Sequence, residues 1–130
     1  MIALVRTVEG VLRVDTETEV VLGEVDATVD HEQVELDLPR VVAASAAGAT
    51  VVAVVDRRPP LVVSYDAGLT WNEAGVGLPP GFDVAVDPVD TDRILFAARN
   101  RLHLSTDGGR FWRSLAPELP DVEAVACEDD

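Results

Sequence analysis

Lysine is absent from this sequence, so all ten of its basic residues are arginines. Against them stand 24 acidic residues, which give the 130-residue chain a formal charge of −14. A surface this acidic repels itself at low ionic strength and needs screening to remain compact. Together with abundant alanine, valine and aspartate, this balance is typical of an acidic, halophilic protein. We interpret the charge as salt adaptation, and a site for a cationic partner is the alternative.

Other absences exclude whole classes of protein. The single cysteine, Cys127, excludes an intrachain disulfide, and we expect it to have a buried apolar role. The sequence has no run of 18 apolar residues and no cleavable leader. It therefore predicts one soluble, cytoplasmic domain over residues 1–130 without a membrane partner. Nucleic acid is disfavoured as a partner because the arginines are few and scattered rather than gathered in a basic patch.

What the sequence does contain is one short motif in two copies, 41 residues apart. Residues 64–71 read SYDAGLTW, and we call them the first box. Residues 105–112 read STDGGRFW, and we call them the second box. A fixed period in the 40s marks a repeat architecture, in which one unit cannot bury its apolar face alone. The residues that carry the motif are Ser64, Asp66, Gly68, Trp71, Ser105, Asp107, Gly109 and Trp112.

The two boxes resemble the Asp-box (BNR) repeat of β-propellers, a group that includes sialidases and sortilin-like receptors. The stretch from Val84 to Ala98, which precedes the second box, is similar to a blade of those proteins. The resemblance implies that the boxes lie on an outer turn, away from the face that binds ligands. The second box departs from the family pattern at Phe111, where threonine is usual, so one turn hydrogen bond is expected to be missing there.

The residue types of the boxes also indicate a turn. A short aspartate accepts hydrogen bonds from backbone amides a few residues further on, and serine does so more weakly. Gly68 and Gly109 suit a backbone position with positive φ. Trp71 and Trp112 each offer a large apolar body with one N–H, which suits a wedge between sheets. We therefore expect the two aspartates to lock turns rather than to perform chemistry.

Counting strands back from each box predicts an all-β chain of three propeller blades with four strands, A to D, in each. The second blade covers 41–73, with strands at 41–46, 50–56, 61–64 and 69–73. The third blade covers 82–115, with strands at 82–87, 93–98, 102–105 and 110–115. The first blade covers 2–24, with strands B to D at 2–7, 10–15 and 19–24. It lacks strand A, and its box has decayed at 14–18. An extra strand A follows at 122–127, and a polar acidic link spans 26–38.

Three blades cannot close a ring, since propellers usually have four to eight blades. Two copies would supply six, so the sequence predicts a homodimer that closes as a six-bladed β-propeller. In this prediction the extra strand of one copy pairs antiparallel with the first strand of the other, which protects two open sheet edges. The residues assigned to this exchange are Ile2, Leu4, Val122, Ala124, Val125 and Cys127.

The sequence does not contain a complete set of catalytic or metal-binding residues of a known type. Sialidase chemistry, which the resemblance raises, needs an arginine triad, a Tyr/Glu pair and an acidic residue, but the one tyrosine, Tyr65, is a variable position of the first box. Residues 87–92 lack the glycine and the bidentate glutamate of a calcium loop. His31 and His103 are isolated. We therefore assign no catalytic, cofactor-binding or metal-binding residue and expect no cofactor. The 24 acidic residues neither support nor exclude a glycosidase pair.

Two functions remain open. The first is a non-catalytic β-propeller scaffold or binding module for a protein or small ligand. The second is a carbohydrate-acting hydrolase with its active site at the channel mouth. Arginine and paired carboxylates at that mouth would favour the hydrolase. The predicted inner strands at 42–45, 84–87 and 124–127 consist mainly of small residues and favour the binding module, so we expect no enzyme activity.

Overall fold

A computed structural model of the chain describes residues 1–29, 34 and 36–128. Within these residues the backbone forms twelve strands and no helix, so none of it is a helix that could cross a membrane. The strands are β1 Ile2–Thr7, β2 Gly10–Asp15, β3 Val20–Val25, β4 Val41–Ala47, β5 Thr50–Val55, β6 Leu61–Ser64, β7 Asn72–Ala74, β8 Asp83–Val86, β9 Ile94–Ala97, β10 Leu102–Ser105, β11 Arg113–Ser114 and β12 Val122–Cys127. They form three antiparallel sheets, in the orders β12-β1-β2-β3, β4-β5-β6-β7 and β8-β9-β10-β11. The predicted all-β class with three four-stranded blades is confirmed.

The first blade combines strands that are distant in the sequence. Strand β12 pairs antiparallel with β1 of the same chain, with Val5 opposite Val125 and Ala3 opposite Cys127. The structure therefore places this strand in the first blade of its own chain, whereas the sequence-based prediction placed it in the first blade of a second copy. The prediction identified two edges that fit each other, but a pairing pattern does not say which copy supplies each edge. The residues assigned to the exchange lie in this intrachain pair: Ile2, Leu4, Val122, Ala124, Val125 and Cys127.

The three blades pack side by side in an arc, with the third blade in the middle. Its inner strand β8 contacts β4 of the second blade and β12 of the first blade, whereas strands of the first and second blades do not contact each other within the described residues. The junction of the second and third blades is filled by Val52, Val54, Leu61, Val63, Val84, Val86, Ile94 and Phe96. The junction of the third and first blades is filled by Ala3, Val5, Val14, Ala85, Leu95, Leu102, Leu104, Val122 and Val125.

Strand β5 shows why a continuous apolar run is compatible with a strand here. All six of its residues are buried. Because successive side chains point to opposite faces of a sheet, Val52 and Val54 face the third blade while Ala53 and Val55 face the other way. The strand is therefore covered on both faces, as its composition predicts.

The outer face of the second blade is covered by the chain itself. Val34, Leu36 and Leu38 pack, together with Trp71, against a buried cluster that contains Val55. We call residues 34 and 36–38 the strap. It belongs to the acidic link predicted at 26–38, of which residues 30–33 and 35 lie outside the described residues. The strap shields apolar surface on the side of the blade that faces away from the third blade.

Strand ends differ from the prediction mainly in the outermost strands. Strands β7 and β11 are shorter than the predicted 69–73 and 110–115. The reason is that the amides of Thr70 and Phe111 bond to the box aspartates rather than to a neighbouring strand. Strand β3 begins one residue later than predicted, because Glu19 has a φ of +58° and belongs to the preceding turn.

Candidate functional site

In the first box, Asp66 closes the turn with both carboxylate oxygens. Its Oδ1 accepts from the Thr70 N–H at 2.8 Å and from the Ser64 hydroxyl at 2.7 Å. Its Oδ2 accepts from the Thr70 hydroxyl at 2.6 Å. The Ser64 oxygen accepts in turn from the N–H of Gly68, whose φ is +90°. The carboxylate is occupied by the groups of its own turn.

The second box repeats this geometry with an amide of Arg110 in place of the threonine hydroxyl. Asp107 Oδ1 accepts from the Phe111 N–H at 3.0 Å, from the Arg110 N–H at 3.1 Å and from the Ser105 hydroxyl at 2.8 Å. The Ser105 oxygen accepts from the N–H of Gly109, whose φ is +94°. Phe111 has no hydroxyl to donate, and its side chain is 79% exposed.

The first blade retains part of the same hydrogen-bonded turn. Asp15 accepts hydrogen bonds from the amides of Glu17 at 2.9 Å and Thr18 at 3.3 Å. Neither glycine nor tryptophan follows in this turn. The aspartate has therefore kept its amide contacts although the rest of the motif has decayed.

These hydrogen bonds favour the ionised carboxylates. The hydroxyl and amide of Thr70 lower the pKa of Asp66 from 3.8 to about 2. The amide of Phe111 lowers the pKa of Asp107 in the same way, and the amide of Glu17 lowers the pKa of Asp15. A carboxyl group whose pKa is lower in the folded chain than in the unfolded chain stabilises the folded state. This stabilisation is fully present at pH values above the unfolded pKa. That stabilisation is lost as the pH falls through the folded value.

We therefore expect the melting temperature of the protein to fall between about pH 4 and pH 2. Part of this fall should disappear in Asp66→Asn, because that variant has no carboxylate to protonate at the turn. Thermal melts at fixed salt would measure both curves. Asp56→Asn, in an exposed loop, is the matched control, and identical pH curves for the two variants would contradict the prediction.

The missing bond of the second box can be restored. In Phe111→Thr we expect the new hydroxyl to donate to Asp107, as that of Thr70 does to Asp66. The pKa of Asp107 should then fall further, because a donor to the charged form favours ionisation. Carboxyl chemical shifts during an acid titration would measure it. An unchanged titration midpoint would show that the hydroxyl does not reach the carboxylate, and Phe111→Val is the control that changes size without adding a donor.

Tyr65 joins the two boxes across the blade junction. Its hydroxyl donates to the carbonyl of Gly108 at 2.6 Å, and the Arg110 guanidinium carbon lies 5.4 Å from the centre of its ring. This link is not predictable from the motif, because the second position of the motif accepts any residue.

The two tryptophans have different surroundings although they share a motif position. Trp112 packs in the junction of the second and third blades, with its ring centre 6.1 Å from that of Phe96. Its N–H donates to the carbonyl of Gly109 at 2.9 Å. Trp71 instead packs with the strap on the outer face of the second blade. Only Trp112 of these two lies between blades.

The turn at residues 87–92 lies beside the second box, since the Gly108 N–H donates to the carbonyl of Asp92 at 3.0 Å. Asp87 and Asp90 approach Arg93 at 3.8 Å and 3.5 Å, and Asp87 also accepts from the Val89 amide. Among the residues that the structure describes, no group of three or more His, Cys, Asp or Glu side chains could hold a metal ion. His31 lies outside those residues.

A groove runs along the junction of the second and third blades, from the second box to the hairpin loops and the loop that joins these two blades. We call it the rim groove. It consists of three hollows of about 940, 630 and 450 Å³ that share Pro79. Its lining includes Arg58, Pro59, Pro60, Glu73, Val76, Gly77, Leu78, Pro79, Pro80, Phe82, Arg99, Arg101, His103, Arg110, Phe111 and Ser114.

The charge of the rim groove is opposite to that of the whole chain. Four arginines and one carboxylate, that of Glu73, line it, whereas the chain as a whole has a charge of −14. Its apolar side chains are open to solvent, with Val76 at 89% and Phe82 at 49% exposed. The sequence does not predict this site, because the arginines are spread over positions 58–110 and only the fold brings them together.

His103 and Ser114 meet at the edge of the rim groove. They are opposite each other in strands β10 and β11, with the Ser114 oxygen 3.0 Å from Nδ1 of His103. Burial lowers the pKa of His103, and the charge of Arg101 adds to the effect. A serine nucleophile with a histidine base needs a third group to orient the base. No described carboxylate bonds this imidazole, so the pair serves as a cross-strand contact.

The inner strands use their polar side chains to join blades. The Ser45 hydroxyl oxygen of β4 accepts from the Val86 N–H of β8 at 3.0 Å. The buried Asp83 carboxylate of β8 accepts from the Val125 N–H of β12 at 3.0 Å. Both contacts link the axial strands of neighbouring blades, and they do not form the site with arginine and paired carboxylates that a hydrolase would need at this place.

Comparison with known proteins finds a likeness among solved structures. No family model and no curated protein matches the chain. Among solved structures, the chain is similar to the GH74 enzyme of Niastella koreensis, with 26% identity and a TM-score of 0.50. The likeness covers 60% of this chain and 12% of the enzyme, so the chain spans about an eighth of that enzyme's length. GH74 is a β-propeller family, and the likeness supports a propeller-like arrangement of the blades.

Proposed function

We propose that the chain is a non-catalytic β-propeller module of the Asp-box type, which binds a protein or small ligand in the rim groove. The groove carries this proposal. It is concave and mostly apolar, with a few convergent charged groups, as ligand sites usually are. Two of its three hollows are lined by loop residues outside the boxes, and the resemblance to Asp-box repeats implies a binding face away from the box turns. The chain's acidity supports a salt-adapted, cytoplasmic setting.

The lining of the groove supports binding without chemistry. General acid and base catalysis at a glycosidic bond needs two carboxyl groups about 5 to 10 Å apart. Glu73 is the one carboxylate among the residues that line the three hollows. The arginines and apolar side chains around it can hold a ligand, but they do not supply the second carboxyl group.

The alternative function, a carbohydrate-acting hydrolase, is favoured by the likeness to the GH74 enzyme. Asp87 and Asp90 are a pair of neighbouring carboxylates, yet Arg93 contacts both of them and the pair lies at the box end. Neither aspartate lines any of the three hollows, so the carboxylate pair is separate from the groove. This separation is our reason for preferring the binding module.

The two functions can be separated by one set of experiments. We expect amide chemical shifts of Gly77 and Leu78 to move when a library of small fragments is added, and no sugar to be released from gluco- and xylo-oligosaccharides. Asp90→Asn serves as a control at the box end. Release of sugar that is lost in Glu73→Gln would favour the hydrolase and overturn the proposal.

We also propose that two copies assemble into the six-bladed ring, without exchanged strands. The open arc leaves one face of the first blade and one face of the second blade without a neighbouring blade. Twofold pairing of these faces would complete the ring, with the strap held inside each new junction. Sedimentation at molar salt should then give twice the 13.9 kDa chain mass. A monomer under those conditions would overturn the ring.

A further inference from the structure

We propose that the hollow beside Arg58 is a carboxylate-binding site for an acidic peptide segment. This inference rests on the proposed function, since it names the ligand of one part of the rim groove. Its basis is a comparison of the two blade junctions within the chain, which the 41-residue repeat relates to each other.

At the junction of the third and first blades, the chain supplies its own carboxylates. Asp121 Oδ1 lies 3.3 Å from Nε of Arg99, and the side-chain amide of Asn100 lies 3.3 Å from Glu118. The Leu119 N–H donates to the carbonyl of Asn100 at 2.8 Å. The loop between these blades therefore packs onto the hairpin loop of β9 and β10 through charged and polar contacts.

At the junction of the second and third blades, the corresponding acids are missing. The repeat places Arg58 at the position of Arg99, and Pro80 at the position of Asp121. Gly77 likewise stands at the position of Glu118. No carboxylate within the described residues pairs with Arg58. The junction of the second and third blades therefore has the arginine but not the carboxylate that would pair with it.

A hollow takes the place of the missing side chains. It measures about 630 Å³, and Arg58, Gly77 and Pro80 line it. The hairpin loop of the second blade is also longer by two residues. It closes from the Val55 N–H to the carbonyl of Pro60, whereas the loop of the third blade closes from Ala98 to Arg101. The longer loop forms one wall of the hollow.

The walls of the hollow select for the rest of the ligand. Pro59, Pro60, Pro79 and Pro80 line it together with Leu78. A proline offers a carbonyl acceptor but no N–H donor, so a ligand must bring its own donors. An acidic peptide brings backbone N–H groups, aliphatic side chains for the apolar wall and a carboxylate for the guanidinium, with which it can form paired hydrogen bonds. A sugar acid lacks the aliphatic side chains.

The charge of the rest of the chain sets the conditions for the test. A net charge of −14 repels an acidic ligand at long range. At 1 M salt the screening length is about 3 Å, so this repulsion is largely removed while a contact between the two charged groups persists. Binding is therefore best measured at that salt concentration.

The probe is an acetylated and amidated hexapeptide of alternating leucine and glutamate. Its binding is measured by the amide chemical shifts of Gly77 and Leu78. We expect it to bind at least about tenfold more tightly than the same peptide with glutamine in place of glutamate. Arg58→Gln should lose about tenfold in affinity. Arg57→Gln is the matched control, because that side chain is also exposed but does not line the hollow. Pro80→Asp should block the site by supplying an internal carboxylate.

The outcomes separate this inference from the function on which it rests. Equal binding of the two peptides, or unchanged binding by Arg58→Gln, would overturn the carboxylate site and leave the binding groove. If polygalacturonate bound and the peptides did not, and if Arg58→Gln abolished that binding, the ligand would be an acidic polysaccharide. This result would overturn the proposal of an acidic peptide. If neither the two peptides, nor polygalacturonate, nor the fragments shifted the groove amides, the proposed function would fail as well.

Discussion

Deletion of residues 122–128 is expected to leave the chain unfolded rather than slightly less stable. Strand β12 supplies the inner strand of the first blade, and its Val122 and Val125 are 4% and 0% exposed. Without it, the β1 edge loses its hydrogen-bond partner and the junction core loses one wall. Buried backbone groups without partners and an opened core are both costly. Amide dispersion in an NMR spectrum at molar salt would show the loss of fold.

The control for this deletion is a change on the exposed side of the same strand. Glu123 lies 3.5 Å from Arg6, and both side chains are about half exposed. Exposed ion pairs contribute little, so Glu123→Gln should change the free energy of unfolding by less than about 1 kcal/mol. A well-dispersed spectrum from the deletion variant would contradict the assignment of β12 to the first blade.

A crosslink decides whether β12 pairs within the chain in solution. Ala3 lies opposite Cys127, which is the one cysteine of the sequence. Opposed residues of an antiparallel pair lie about 4.5 to 5.5 Å apart, which is within the range of a disulfide. Oxidised Ala3→Cys should therefore run as a single chain on a non-reducing gel. A covalent dimer would instead show that β12 pairs with β1 of a second copy.

The second large effect is expected at Phe96. It is 0% exposed and packs in the junction of the second and third blades, near both His103 and Trp112. Phe96→Ala would leave a cavity where two blades meet, and it should lower the free energy of unfolding by about 3 to 5 kcal/mol. Denaturant titration at fixed high salt measures this loss.

An exposed phenylalanine provides the comparison. Phe111 is 79% exposed, so Phe111→Ala should change stability by less than about 0.5 kcal/mol. Equal effects of the two substitutions would mean that the blades do not share a packed junction. The comparison of the two substitutions therefore tests whether the second and third blades pack against each other, and not only the role of one side chain.

The periodic features of the sequence predicted most of the strands. The boundaries predicted for β1, β2, β6, β10 and β12 match the structure. The outermost strands were harder, because the box turn uses amides that a strand pattern assigns to a sheet. The partner of β12 was not predictable, since Val125 fits the same edge whether that edge belongs to its own chain or to another copy.

The candidate site was harder to predict than the fold. The boxes identify one end of the arc, because their turns need particular residues at fixed spacing. The rim groove is made from loops whose residues have no common spacing, and Arg58 and Arg110 become neighbours of one groove only through the packing of two blades. The repeat did contain one usable signal, the replacement of Asp121 by Pro80 at the equivalent position.

The intrachain pairing of β1 with β12 has a consequence for synthesis. Leu4 pairs with Ala126, 122 residues later. At 5–20 residues per second, a ribosome needs roughly 6–24 seconds to supply that partner. During this interval the nascent sheet of β1 to β3 has its apolar face uncovered, with Ala3 and Val5 open to other chains. The second and third blades use contiguous segments and can form as they emerge, so the blade translated first is completed last.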